Sequence, residues 1–325
     1  MERLVLFTAA ITVYSILFAG SLMFWHGKFQ ASLVPLDPEG DAITLLFAGD
    51  IMLDRGVEFY IRQHNDWRWP FLRIADTLQK ADLVFGNLES VISNKGQNLG
   101  SIYSFRADPK AIEGLMFAGF DVVSVANNHS LDYGPEAFLD SLARLKEAEI
   151  AYVGGGADKE RVYSPVIKEV RGTKIGFLGY TNLGSPLWQA TENTPGIAWV
   201  DEGTLPKFQE GIRAAKQQSD ILVVSVHFGE EYQTQPNKTQ VLIAKSAIDA
   251  GADIVIGHHP HVVQPVEQYK NGWITWSLGN LVFDQGFSPE TMRGLLLEVT
   301  VKEKQITQVV PRVIRLNSFF QPELK

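Results

Sequence analysis

The stretch GADIVIGHHPHVVQPVE, residues Gly251–Glu267, decides how the rest of the chain is interpreted. Its apolar run Ile254–Ile256 ends in a glycine, a pattern typical of a buried strand that runs into a loop. The loop carries His258, His259 and His261. Imidazole is a common ligand of Zn, Fe and Mn, and an H-x-H pair in an irregular loop can direct both rings to one point. The pattern predicts a metal site, and the alternative is a solvated loop that happens to hold three histidines.

Other apolar runs of the chain also end in polar residues. They are Thr44–Asp50, Asp82–Glu89, Asp121–His129 and Asp220–Gly229. Near-continuous apolar runs predict strands that are covered on both faces. Helical patterns lie between the runs, at Asp66–Gln79, Pro135–Ala148 and Lys238–Ala250, and further strands are predicted at Val166–Val170, Lys174–Tyr180, Trp273–Phe283, Leu295–Val301 and Val309–Leu316. This alternation of strands and helices predicts an α/β fold.

The ends of the predicted strands define a candidate site. In open α/β sheets, ligands bind outside the carboxyl ends of the strands. The polar residues at that end of their runs are Asp50, Asn87, Glu89, Asn128, His129, His227, His259 and His261. Each of them alone has another explanation, because Gly-Asp after a strand is usually a turn and Asn-Asn-His is often an Asx turn or a helix cap. Five runs that end in the same way favour one shared site.

The composition narrows the chemistry of that site. The chain has 325 residues and no cysteine, which excludes disulfides and cysteine-ligated zinc and leaves histidine, carboxylate and amide ligands. Its formal net charge is -8. A chain of this charge has no general attraction to nucleic acid or to anionic lipid, so an anionic substrate needs a local patch or a metal ion.

The N-terminal stretch Leu4–Trp25 contains no charged residue, and a helix of this length spans a hydrocarbon core of about 30 Å. We predict an uncleaved membrane anchor in residues 1–26, with a cleavable signal peptide as the alternative. A linker at 27–42, a folded domain at 43–316 and a tail without a clear element at 317–325 follow. The anchor predicts a single-pass protein of the cell membrane with the bulk of the chain extracytoplasmic.

Six motifs in this order resemble the bacterial CapA family, also called PgsA or poly-γ-glutamate capsule synthesis proteins, a branch of the calcineurin-like metallophosphatase superfamily. The motifs are GDIML at 49–53, GNLES at 86–90, ANNHSLDYG at 126–134, HFGEEYQTQP at 227–236, GHHPHVVQ at 257–264 and SLGNLVFDQ at 277–285. The resemblance covers about residues 43–316. It implies a four-layer α/β/β/α sandwich outside the cell that works with an anionic polymer such as poly-γ-glutamate and with membrane-bound capsule synthase components.

The resemblance also implies a site for divalent metal ions. By position, Asp50 is similar to the metal aspartate of the first strand, Asn87 stands where a bridging aspartate is usual, and Asn128 is similar to an asparagine ligand. His227 matches the ligand of a later strand, His259 and His261 match a closing H-x-H pair, and His129 matches a histidine that assists the leaving group. His258 then falls outside the pair and is expected to support a ligand or to be solvated.

Two positions depart from the superfamily pattern. Met52 stands where a histidine ligand is expected, and a thioether is a poor ligand for a hard metal ion. Asn87 is neutral, whereas a pair of divalent ions needs a bridging anion to offset their repulsion. Glu89 lies two residues further on and can supply a carboxylate. We therefore expect one firmly held ion of Mn, Zn or Fe, or two ions if Glu89 substitutes for the missing bridge.

Further residues of the motifs are candidates for substrate binding. Arg55 can grip a carboxylate or a phosphate with its guanidinium, and the alternative is a surface salt bridge. Glu231, Tyr232, Asn280 and Asp284 either line the cleft or fix its loops by hydrogen bonds.

The sequence leaves three functions open. The first is an anchored capsule accessory protein that handles poly-γ-glutamate or a similar polymer during synthesis or export. The second is a metal-dependent hydrolase of phosphoesters or amides at the cell surface, with His129 as the general acid. The third is a site that only binds polymer or stabilises the fold.

Overall fold

A computed structural model describes residues 42–325 of the chain. The predicted membrane anchor lies outside the described residues, as does the predicted linker except for its last residue. None of the helices between residues 42 and 325 combines the length and the apolar character that a membrane span requires.

Strands and helices alternate along the described chain, as the sequence predicts. The strands are β1 Ile43–Ile51, β2 Leu83–Leu88, β3 Val91–Ile92, β4 Arg106–Ala107, β5 Val122–Ser124, β6 Ala151–Val153, β7 Gly155–Gly156, β8 Val166–Val170, β9 Thr173–Thr181, β10 Gly196–Ile197, β11 Ile221–His227, β12 Ile254–His258, β13 Val266–Tyr269, β14 Gly272–Thr275, β15 Asn280–Val282, β16 Arg293–Lys302, β17 Gln305–Leu316 and β18 Pro322–Leu324. The helices are α1 Arg55–His64, α2 Ala75–Leu78, α3 Ile112–Ala118, α4 Gly134–Glu147, α5 Lys159–Tyr163, α6 Leu205–Lys216 and α7 Lys238–Asp249, and 3-10 turns lie at Trp69–Phe71, Pro109–Ala111 and Pro186–Trp188.

Two sheets carry the fold. The first has the order β18-β17-β16-β1-β2-β5-β6, with β15 paired to the end of β1, and the second has the order β13-β14-β12-β11-β9-β8. In the first sheet β1, β2, β5 and β6 run parallel, and in the second β9, β11, β12 and β14 run parallel. The carboxyl ends of the parallel strands in each sheet therefore share one edge, as the site prediction requires.

The sheets pack face to face with helices on their outer sides. Phe47 and Phe85 of the first sheet pack with Phe177, Val223 and Ile256 of the second in one buried cluster. Residues of α1, α3 and α4 form a second cluster with the outer face of the first sheet, and residues of α6 and α7 form a third with the second sheet. The predicted α/β class is confirmed, and the layers have the helix–sheet–sheet–helix order that the resemblance implied.

One predicted helix is not formed as predicted. The periodicity of Asp66–Gln79 favours a continuous helix, but the structure has a 3-10 turn at Trp69–Phe71 and the four-residue helix Ala75–Leu78. Pro70 lies in the 3-10 turn and has no backbone N–H, so it cannot donate the bond that a continuous helix needs there. The apolar residues are still buried, because Phe71 and Leu78 both lie in the core.

Another predicted strand is divided between the sheets. The apolar run Trp273–Phe283 forms β14 in the second sheet and β15 in the first. The segment between them crosses from one sheet to the other and brings Asn280 opposite Asp50. The end of the chain also differs from the prediction, because Pro322–Leu324 pairs with β17 as a strand where no element was expected.

This crossing requires a glycine in β1. The N–H of Asp50 donates to the carbonyl of Gly279 at 3.0 Å, and a Cβ added at Gly49 would lie 1.9 Å from that carbonyl oxygen. Side-chain atoms do not approach a backbone oxygen so closely, so only glycine lets the two segments touch. The contact holds the end of β1, which carries Asp50, against the segment that carries Asn280.

We predict that Gly49→Ala lowers the free energy of unfolding by about 1–3 kcal/mol, because the new methyl group overpacks a buried backbone contact. Gly203→Ala is the matched control, since Gly203 is exposed and its added Cβ would meet its nearest atom only at 3.4 Å. The control should change stability by less than about 0.5 kcal/mol. Chemical denaturation of the purified chains measures both values, and equal stability of the two variants would contradict the close contact.

Candidate metal centre

The strand ends of both sheets meet over one buried polar cluster. Asp50 on β1 is in register with Asn87 on β2, and His227 on β11 is in register with His258 on β12. The predicted residues are brought together as expected, and those that are buried are Asp50, Asn87, Glu89, His129, His227, His259 and His261. Asn128 is partly exposed at the edge of the cluster.

The loop after β12 is held in an unusual backbone conformation. His259 has a φ of 96° and His261 a φ of 57°, values that favour glycine, and Pro260 lies between them. Such conformations cost of order 1–3 kcal/mol each and persist where the surrounding structure imposes them, often at functional sites. The N–H of His259 donates to Asp50 Oδ2 at 3.2 Å, which ties this loop to the first sheet.

The centre of the cluster is a carboxylate oxygen without a hydrogen bond. Glu89 Oε1 is fully buried and has no hydrogen-bond partner. It lies 3.7 Å from His261 Nε2 and 3.8 Å from the Nε2 atoms of both His227 and His129. Burial and the nearby carboxylate of Asp50 raise the pKa of Glu89 well above its usual range. An unpaired buried oxygen surrounded by imidazole nitrogens is the environment that a bound cation satisfies.

Two overlapping groups of residues can hold an ion. Glu89, His259 and His261 form one group, and Asp50, Glu89 and His227 form the other; within each group the candidate ligand atoms lie within 4.8 Å of one another. His259 Nδ1 is buried and also has no hydrogen-bond partner. Imidazole nitrogen with carboxylate oxygen suits Zn, Mn or Fe, so the residues present fit a divalent metal ion.

Two histidines of the cluster, His227 and His259, are neutral at physiological pH. Burial, followed by the charge of His259, holds the pKa of His227 well below its usual range. Burial and His261 lower the pKa of His259 to about 3. A neutral imidazole has a free electron pair on one nitrogen and binds metal without first losing a positive charge.

The buried carboxylate of Asp50 lies against two histidines, His258 and His261. Burial alone would raise its pKa, but hydrogen bonding and the charges of His258 and His261 together hold the pKa of Asp50 well below its usual range. His258 Nδ1 lies 3.3 Å from Asp50 Oδ1. His258 is fully buried, so of its two expected roles the solvated one is excluded and support of a ligand remains.

Asn280 sets the orientation of the His261 ring. Its Nδ2 donates to the backbone carbonyl of Thr291 at 3.0 Å, so its Oδ1 is the atom that faces His261 Nδ1 at 3.1 Å. This oxygen accepts the Nδ1 hydrogen, which leaves the free electron pair on the Nε2 that faces Glu89. Asn280 therefore positions a candidate ligand through its hydrogen bonds.

A histidine–aspartate pair lies beside the cluster. His129 Nδ1 is 2.7 Å from Asp132 Oδ2, and the same oxygen accepts the N–H of Phe105 at 2.9 Å. Asp132 thus holds the Nδ1 hydrogen of His129 and directs Nε2 toward Glu89 and Asn128. Sequence reasoning missed Asp132, although it stands three residues after His129 in the motif that includes both.

A cavity of ≈ 220 Å³ opens onto His129 and His261. Arg55 lies in its wall, where it pairs with Asp284 and stacks over the Phe105 ring at 4.7 Å from the ring centre. The pairing with Asp284 is the salt bridge that the sequence offered as the alternative role of Arg55. It offsets the charge of Arg55, which still lines the cavity.

Glu231 and Tyr232 form another part of the cavity wall. The loop after β11 holds them there, because the N–H of Tyr232 donates to the carbonyl of Pro260 at 2.8 Å and Tyr232 has a φ of 65°. Tyr103, Phe283 and Phe287 also line the cavity, so its walls are largely aromatic.

The region of the chain that holds the cluster is similar to known proteins. Residues 44–285 match the family described as bacterial capsule synthesis protein PGA_cap. The chain is 33% identical to the capsule biosynthesis protein CapA of Bacillus anthracis, over 90% of this chain and 73% of that protein. It is 34% identical to the PGA biosynthesis protein CapA of Bacillus subtilis, over 91% of this chain and 77% of that protein. The matched region contains every candidate ligand.

Similarity to solved structures is weaker. A structure of a putative 5'-nucleotidase from Staphylococcus aureus aligns with a TM-score of 0.49 and 14% identity, over 87% of this chain and 54% of that one. Haemophilus influenzae NAD nucleotidase aligns with a TM-score of 0.46 and 13% identity, over 87% of this chain and 53% of that one.

We predict that Mn²⁺ raises the melting temperature of the purified chain, and more at about pH 8 than at about pH 6. The pKa of Glu89 is raised in the folded chain, so without an ion this residue destabilises the fold as pH rises above the usual glutamate range. A bound cation removes this penalty and releases the Glu89 proton, so ion binding strengthens with pH. Differential scanning calorimetry at both pH values measures the shift.

Glu89→Gln should lose most of the Mn²⁺-dependent shift, because an amide oxygen carries no charge. Glu202→Gln, at an exposed position of the same residue type, is the control and should keep it. A shift of the same size in Glu89→Gln, or a larger shift at the lower pH, would contradict a cation at Glu89.

Proposed function

This chain belongs to the bacterial capsule synthesis protein family PGA_cap, and we propose from this membership that it acts in the synthesis or export of poly-γ-glutamate or a similar anionic polymer. The observation that carries the proposal is that the family match spans residues 44–285 and includes the whole buried cluster. The relatives from Bacillus are named for capsule and PGA biosynthesis, and relatives from Mycobacterium tuberculosis are named probable polyglutamine synthesis accessory proteins.

We also propose that the chain works at the cell surface. The charge-free stretch Leu4–Trp25 supports a membrane anchor, and the complete lack of cysteine is compatible with an oxidising exterior. In this arrangement the folded domain lies outside the cytoplasm, beside the membrane-bound synthase components that would supply the polymer. Nucleic acid is not among the proposed partners, since the net charge is -8.

A metal ion explains how an acidic protein can hold an acidic polymer. Among the described residues that line the cavity, none offers a free positive charge, because Arg55 is paired with Asp284 and Glu231 adds a negative charge. When bound at Glu89, His259 and His261, a divalent ion supplies a positive centre that attracts a carboxylate of the polymer. The aromatic walls beside it can pack against the methylene groups of a glutamyl chain.

The pair of His129 and Asp132 favours a second candidate function, hydrolysis of an amide or a phosphoester. Asp132 fixes the ring through Nδ1 and would stabilise the imidazolium form, whose Nε2 hydrogen is directed to the place where a leaving group would need a proton. A general acid in this position contributes typically 10²–10⁴-fold to a rate. The absence of a histidine at Met52 and of a carboxylate at Asn87 counts against ordinary phosphatase chemistry.

The proposal predicts that deletion of the gene in its host removes most of the γ-linked glutamate polymer from the cell surface, and that the wild-type gene restores it. Glu89→Gln should fail to restore the polymer, because the ion that attracts carboxylates is lost. The exposed control Glu202→Gln should restore it fully. Polymer is extracted from the surface of washed cells, separated from protein and measured as the glutamate that acid hydrolysis releases from it, with protein levels checked by immunoblot.

His129→Ala distinguishes the two candidate functions in the same strain. Full restoration by this variant indicates that the site binds polymer without proton transfer, whereas failure at normal protein level indicates hydrolysis. An unchanged surface polymer in the deletion strain would contradict the capsule function itself.

A further inference from the structure

We propose that the side-chain amide of Asn87 replaces one of the two cations of a dinuclear centre, so that the chain binds a single metal ion. The ion lies at Glu89, His259 and His261, and the amide nitrogen of Asn87 fills the second position. A centre with one ion does not depend on which polymer or substrate the cavity accepts.

The orientation of the Asn87 amide follows from two backbone groups. Asn127 Oδ1 accepts the N–H of His129 at 3.1 Å, and Asn127 Nδ2 donates to the carbonyl of Leu88 at 2.9 Å. A backbone N–H only donates and a carbonyl only accepts, so the Asn127 amide has one possible orientation. Its Nδ2 also lies 3.2 Å from Asn87 Oδ1, which identifies that atom as the oxygen. The nitrogen of Asn87 must therefore face the opposite way.

That nitrogen lies at the centre of a candidate ion group. Asn87 Nδ2 is 2.8 Å from Asp50 Oδ1, 3.3 Å from Glu89 Oε2 and 3.2 Å from His227 Nδ1. These three residues form one of the two groups that can hold a cation. An NH₂ group carries partial positive charge and two hydrogens, so it satisfies the two carboxylates as a cation would. It offers no electron pair to a metal in this orientation.

The amide also determines what Glu89 can bind. Glu89 Oε2 accepts from Asn87, whereas Glu89 Oε1 has no partner. Because Oε2 is already used by the amide, Glu89 has only Oε1 to offer an ion and cannot bridge two ions through both of its oxygens. Two divalent ions at the spacing of a dinuclear site repel each other strongly without an anionic bridge. One ion at Oε1 with His259 and His261 is the arrangement that these contacts allow.

Met52 is a second and independent reason for a single ion. It stands at the position where the resemblance leads us to expect a histidine, and it is fully buried. Its sulfur accepts the N–H of Asp54 at 3.1 Å, so the thioether is already used within the loop. The half of the centre beside Asp50 therefore lacks the imidazole expected at position 52 and the carboxylate expected at position 87.

The test counts Mn²⁺ ions on the full-length chain by equilibrium dialysis and records the electron paramagnetic resonance spectrum. The wild-type chain should bind about one ion and show the spectrum of an isolated Mn²⁺, and Asn87→Asp should bind about two with a spin-coupled spectrum. The substitution would place a third carboxylate beside those of Asp50 and Glu89, a cluster whose charge a second cation would neutralise. Asn193→Asp makes the same change at an exposed position and should stay at about one ion.

Two results would overturn the inference. The first is a wild-type chain that binds about two ions with a coupled spectrum, because Asn87 would then not exclude the second ion. The second is a folded Asn87→Asp variant, verified by circular dichroism, that remains at about one ion with an uncoupled spectrum. If Asn87→Asp does not fold, the wild-type count decides alone.

Discussion

The candidate site depends on one buried carboxylate, Glu89, whose Oε1 has no hydrogen-bond partner. Burying a charged oxygen without compensation is costly, so this group is either protonated or paired with a cation. The imidazoles of His129, His227 and His261 surround it with nitrogen atoms at 3.7 to 3.8 Å, which is too far for hydrogen bonds but leaves room for an ion between them. A bound cation would satisfy both this oxygen and the unpartnered Nδ1 of His259.

The fold serves to bring these groups to one point. The ligands come from both sheets, so neither sheet could hold the ion alone. Gly49 lets β1 touch the segment that crosses between the sheets, and the strained backbone of His259 and His261 turns their rings toward β1 and β2. A rigid two-sheet frame with a strained loop at its edge is a common way to preorganise a binding site.

Much of the fold and of the candidate site could be predicted from the sequence, for a physical reason. Buried parallel strands are near-continuous apolar runs in the sequence. The polar residues at their carboxyl ends share one edge of the sheet, and this does not depend on the conformation of the loops. The cluster of Asp50, Glu89, His227, His259 and His261 follows from that rule. Helix periodicity was less reliable at Asp66–Gln79, where burial of the apolar residues was satisfied without a continuous helix because Pro70 interrupts the hydrogen bonding.

Other features depend on contacts that no local pattern encodes. The direction of the Asn87 amide is set by Leu88 and His129 through Asn127, and the Nδ1 hydrogen of His261 is set by Asn280. The sequence shows which side chains are near the site, but only the structure shows which atom each of them presents. For Asn87, the atom that faces the site decides whether the residue is a metal ligand or takes the place of an ion.

Anomalous diffraction from crystals of the Mn²⁺-loaded chain tests the central claim most directly, since it locates the ion without reference to activity. We predict one strong peak within bonding distance of Glu89 Oε1 and of ring nitrogens of His259 and His261. A peak bound instead among Asp50, Asn87 and His227, or no peak at the ends of the strands, would contradict it.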